Sequence, residues 1–72
     1  ILLQAGADGL MGDPLTGLNY TEDVHEFVAT QLHKLAHEKC RGRIVVMGGG
    51  GYNPENVAKA WTAIIRALAT PP

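Results

Sequence analysis

The sequence has one cysteine, no surplus of positive charge and no long apolar run. Cys40 has no second cysteine to pair with, which excludes an internal disulfide and agrees with a reducing, cytoplasmic compartment. Six Lys and Arg stand against seven Asp and Glu, a net charge of −1. That excludes the basic footprint of a protein that binds nucleic acid directly or docks on an anionic membrane surface. No apolar stretch approaches the ~20 residues that span a bilayer, and no signal-peptide pattern is visible. At 72 residues, the chain amounts to one small domain at most and buries a modest share of its surface.

What is present is glycine, concentrated in two stretches: GADGLMGDPL at 6–15 and GGGGYN at 48–53. Around them the chain punctuates clearly. Residues 1–5, ILLQA, read as a buried strand. Residues 6–20 form a long loop, and loops of that length in compact domains tend to be functional. Thr21 is the expected N-cap of a helix running to about Lys39, with Glu22 and Asp23 favouring its first turn. Val24, Phe27, Val28, Leu32, Leu35 and Ala36 follow the helical repeat and mark its expected buried face. Residues 41–43 turn, and 44–47 read as a second short strand. Asn53, Pro54 and Glu55 open a second helix, with Val57, Trp61, Ile64, Ile65 and Leu68 on one face.

Strand–helix–strand–helix predicts an α/β unit whose two strands are parallel neighbours. Both glycine-rich loops then leave the C-terminal ends of adjacent strands, the edge where open α/β sheets bind ligands. The loops are expected to face one another. Two strands and two helices cannot shield such a sheet on both faces. Residues 1–72 therefore read as a fragment of one larger domain.

Four consecutive glycines are costly to order. A phosphate cradle is one use of such a run, but no Gly-Lys-Ser/Thr follows, and a G-x-G-x-x-G from Gly48 would need glycine where Asn53 stands. A tight turn is the plain alternative, although it needs fewer glycines. The remaining reading is a wall of bare backbone along which a narrow substrate slides, with the Tyr52 phenol at its end. Asp13, in MGDPL, fits an Asx-turn before proline, a metal ligand or a general base. Asp8 is expected to bond loop amides. A carboxylate and a tyrosine on neighbouring loops point to metal-assisted polarisation of a carbonyl, with the phenol bonding the oxyanion.

The histidines are weaker pointers. His33 and His37 have a helical spacing that can chelate zinc, but their helical angle places them opposite the Val24–Phe27–Leu35 face, toward solvent. Asp23 and His25 imitate a zinc motif, yet two residues apart on a helix they point roughly 200° from one another. Trp61 and Phe27 read as core; Lys34, Lys59 and Arg66 read as solvated charges.

LLQAGADGLMGDPL…LNYT and RIVVMGGGGYNPENVAKAWT closely resemble the last catalytic segment of the histone deacetylase family. The likeness is greatest to its acetoin utilization and acetylpolyamine-type members. The resemblance covers nearly the whole chain, and the two motifs in this order are highly specific together. It implies a β-α-β-α portion of a parallel three-layer α/β/α sheet, the arginase/deacetylase-like fold. It also implies hydrolysis of an N-acetyl amide with one Zn2+ held by two aspartates and a histidine. The resemblance maps the second of those aspartates onto Asp13 and the transition-state tyrosine onto Tyr52. Gly50 and Gly51 map to the acyl tunnel, and Tyr20 to a rim position where leucine or methionine is usual. Pro14, inside the matched GDP motif, is carried over as substrate-binding.

The family's paired catalytic histidines and its other two zinc ligands have no counterpart in these residues. One carboxylate cannot hold catalytic zinc, which needs about three protein ligands. The chain is therefore expected to be inactive alone, with the remainder of its own catalytic domain as partner and an acetylated amine as substrate. Two other readings stay open: a catalytically inactive α/β binding module, and an arginase-fold ureohydrolase, although the aspartate-rich clusters of the latter are not seen.

Overall fold

The computed structural model describes residues 1–72. They form β1 (Leu2–Gln4), α1 (Glu22–Lys39), β2 (Val45–Met47) and α2 (Pro54–Ala69). The strands pair in parallel, Leu2 with Val45, Leu3 with Val46 and Gln4 with Met47. Backbone pairing continues beyond them, with Ala5 N–H donating to the Met47 carbonyl at 2.7 Å and Ala7 N–H to that of Gly50 at 2.7 Å.

Strand alternation decides what each face does. Leu3, Ala5 and Val46 pack against Ala29, Ile64 and Ala67 of the helices. Leu2, Val45 and Met47 are exposed on the other face. Both helices therefore contribute to one side of the sheet, and the opposite side is bare within these residues. No helix is long and apolar enough to cross a membrane.

The hydrophobic pattern marks the packing face of α2, where Val57, Trp61, Ile64 and Leu68 reach the core clusters, but on α1 only Ala36 of the marked residues is buried. On α1 the buried residues are Ala29, His33 and Ala36, while Phe27 is 65% exposed and Val24 and Leu35 are also exposed. On α2, Asn56, Ala60, Ala63, Ile64 and Ala67 are buried and Ile65 is exposed. Small side chains let two helix backbones approach, so the alanines meet while the larger apolar residues of α1 point elsewhere. Phe27 is not core here, whereas Trp61 does pack partly buried against the main cluster. His33 faces α2 rather than solvent: its Nδ1 lies 3.2 Å from the Ala67 carbonyl oxygen. At the helix starts, Asn53 Oδ1 accepts from the amides of Glu55 and Asn56, with Pro54 in the first turn. Thr21 occupies the N-cap of α1 but makes no side-chain capping bond.

Candidate active site

The site begins where two glycine backbones touch. A Cβ on Gly6 would lie 2.8 Å from Gly50 N and 2.9 Å from Gly50 O. Bare backbone is required there because the loops after β1 and β2 cross at van der Waals distance. Gly6→Ala forces those backbones apart. It is expected to destabilise the full-length protein by about 1–3 kcal/mol, the usual cost of overpacking; an unchanged urea midpoint would show that the crossing is looser than this.

Residues 10–20 close on themselves. Leu10 and Tyr20 form a parallel bridge; Met11 N–H donates to the Tyr20 carbonyl and Tyr20 N–H to that of Gly9, each at 2.9 Å. Leu10 plugs the base of this loop beside Ala7 and Ala60. The Tyr20 ring lies over Gly9, where an added Cβ would come within 2.9 Å of it. Tyr20 and Pro14 are both exposed on the loop surface.

Asp13 lies inside the loop, 8% exposed. Its Oδ1 accepts from the amides of Leu15 at 2.8 Å and Thr16 at 3.1 Å, the Asx-turn that an Asp-Pro sequence favours. Its Oδ2 accepts from the amide of Tyr52 at 2.9 Å. Burial pushes the Asp13 carboxyl up, but the amides of Tyr52, Leu15 and Thr16 outweigh it and hold the group below the usual carboxylate range. With the folded value depressed, this anchor contributes stability above the ordinary carboxylate range and loses it as pH falls through the folded value.

Two asparagines fix the loops relative to α2. Asn53 Nδ2 donates to the Gly12 carbonyl at 3.3 Å, and Asn56 Nδ2 to that of Met11 at 3.1 Å. The hydrophobic pattern passes over Asn56. Its signal is a polar residue four positions before Ala60, on the alanine face of α2. The Tyr52 side chain is 53% exposed, with no hydrogen bond from its hydroxyl to the rest of the chain. Gly51 precedes it at φ +142, a conformation that side chains resist.

Asp8 bonds no loop amide; its carboxylate lies against Gly50, where a Cβ would meet Oδ2 at 2.5 Å. The Gln4 amide occupies the same position over Gly49. The open sides of these glycines thus face the chain's own polar groups. His25, set aside as a ligand, ties α1 to the first loop: its Nε2 donates to the Gly6 carbonyl at 2.8 Å. His25 Nδ1 is buried without a partner. A 310 Å³ cavity beside β1 is lined by Leu3, Asp8, Tyr20, Val24, His25 and Val28 among others, but by neither Asp13 nor Tyr52. No three His, Cys, Asp or Glu side chains converge anywhere.

A family model of the histone deacetylase domain matches residues 1–68. The chain belongs to the histone deacetylase family. This deacetylase-family chain is 42% identical to acetoin utilization protein AcuC of Bacillus subtilis over 65 residues, which cover 89% of the chain and 17% of AcuC. It is 38% identical to histone deacetylase 14, chloroplastic, of Arabidopsis thaliana over 68 residues, 94% of the chain and 16% of that relative. The chain thus spans about a sixth of the length of these two relatives. Its fold matches the crystal structure of the HDA15 HD domain with a TM-score of 0.75 and 27% identity, over 97% of the chain and 19% of that structure. The expected β-α-β-α portion of a deacetylase-like α/β sheet is the one observed.

Proposed function

We propose that these residues form one wall of the active site of a zinc-dependent deacetylase that hydrolyses an N-acetyl amide. The observation that carries the reading is the Tyr52 amide on Asp13 Oδ2. The proposed zinc ligand and the proposed catalytic tyrosine are held together by one hydrogen bond between the two loops.

Asp13 fits the metal's chemistry. It is buried, its three amides favour the carboxylate form, and Oδ2 accepts only one of them, which leaves a lone pair. Asp13 would supply one zinc ligand, the others coming from residues outside this chain. When bound, zinc supplies Lewis acidity for the carbonyl and an activated water. The chain's own part is to aim Tyr52. Gly51 turns the backbone, Asp13 fixes the amide, and the hydroxyl, free of partners in the chain, donates to the amide oxygen as it gains negative charge. Gly50 and Gly51 would line the path of a slender acyl chain as bare backbone, with the Asp8 carboxylate over the Cβ side of Gly50, and Tyr20 and Pro14 form the rim on the facing loop. Tyr20, larger than the leucine or methionine usual there, narrows that rim.

The remainder of the same catalytic domain is the partner. The bare face of Leu2, Val45 and Met47, the cavity beside β1 and the unpartnered His25 Nδ1 support this. Alone the chain is inactive. The test is the full-length protein, analysed for metal content and for release of free amine from an acetyl-lysine amide. One zinc per chain and hydrolysis are expected. No zinc and no hydrolysis would leave an inactive binding module in its place.

A further inference from the structure

We infer that His33 and His37 form a chelating site for a divalent transition-metal ion, apart from Asp13 and Tyr52, at the edge of the α1–α2 contact. The inference does not depend on the proposed deacetylase activity. His33 Nδ1 lies 3.2 Å from the Ala67 carbonyl oxygen. A carbonyl only accepts, so Nδ1 carries the proton, and a neutral His33 presents the lone pair of Nε2. His37 Nε2 stands 3.1 Å from that atom and donates to it. The rings meet edge to face, their centroids 4.8 Å apart at 65°.

This is the arrangement a chelate needs. Imidazole nitrogens bind zinc at about 2.0–2.1 Å, so two nitrogens 3.1 Å apart subtend about 100° at a shared ion. That angle lies between tetrahedral and octahedral values. One change admits the metal: the His37 proton moves from Nε2 to Nδ1, with no change of charge. The His33 Nδ1–H bond to a backbone carbonyl is the outer contact that fixes the tautomer of metal-binding histidines. The His37 ring rests on Gly42, where a Cβ would come within 3.0 Å, and His37 stays exposed. The nearby charges are mixed: Lys34, Glu26 and Arg66 line the cleft beside His33, and Lys34 and Glu38 the one beside His37. With no third protein ligand converging, water completes the coordination. Two imidazoles select Cu2+, Ni2+ or Zn2+ over Mg2+ and Ca2+.

The test is calorimetric titration of the full-length protein with Ni2+ alone, any catalytic metal already in place. One added equivalent is expected to bind at neutral pH. Its affinity should fall by more than about tenfold in His37→Gln. His37 is exposed, so this variant keeps its fold. As a second readout, substoichiometric Cu2+ should broaden the imidazole resonances of both His33 and His37. Absence of the added equivalent in the wild type, or unchanged Ni2+ affinity in His37→Gln, would overturn the site.

Discussion

If the proposed deacetylase reading holds, a Tyr52→Phe variant of the full-length protein is expected to lose about 10²–10³ in kcat with its metal content unchanged. The phenol is half exposed, and its hydroxyl bonds nothing in the chain. The bond that positions residue 52 runs from its backbone amide to Asp13 and does not involve the ring substituent. Phenylalanine thus keeps the loop, the fold and the carboxylate's partners, and removes one O–H. A donor that acts only on the charge developing in the transition state leaves KM nearly unchanged. The measurement is kcat and KM on an acetyl-lysine amide, with metal content beside them. Wild-type turnover in Tyr52→Phe would remove this residue from the chemistry.

Asp13→Ala should fall further, by about 10³ or more in kcat, and should lose metal as well. The carboxylate serves two ends at once: it orders Leu15 and Thr16 within its own loop, and it holds the Tyr52 amide from the next. Removing it takes away the proposed zinc ligand and frees the tyrosine amide. Asp13→Ala combined with Tyr52→Phe should therefore be little worse than Asp13→Ala alone, because the pair acts as a unit. Simple multiplication of the two losses would mean that the residues work independently. An acid titration gives a separate check. The stability difference between wild type and Asp13→Asn should be full above the ordinary carboxylate range and vanish as pH falls through the lowered value of Asp13.

Local signals carried most of the fold. Asn53 and Pro54 name the start of α2, and the two apolar runs between turns name the strands to within two residues of their observed bounds. The face of α1 was less legible. Hydrophobic size marks Val24, Phe27 and Leu35, but backbone proximity is set by what is small, and Ala29 and Ala36 make the contact with His33 between them. No residue of α1 taken alone reveals which of two apolar faces a neighbour will choose.

The two aspartates teach a related lesson. Asp8 was expected to bond loop amides, and Asp13 was read as an Asx-turn, a metal ligand or a general base; the loop amides belong to Asp13. Pro14 has no N–H, so the carboxylate of Asp13 reaches past it to the amides of residues 15 and 16. After Asp8 the next such amide, that of Leu10, is already taken by the Ala7 carbonyl. The junction of Asp13 with Tyr52 depends on strand register, which neither motif encodes by itself.

That junction also has a place in time. Asp13 and Tyr52 are 39 residues apart, so at ribosomal rates of about 5–20 residues per second the tyrosine follows the aspartate by roughly 2–8 seconds. During that interval Oδ1 already has both of its amides within reach, from Leu15 and Thr16, while Oδ2 waits for an amide not yet made. Oδ2 can gain its amide only once residue 52, five positions beyond β2, has been made.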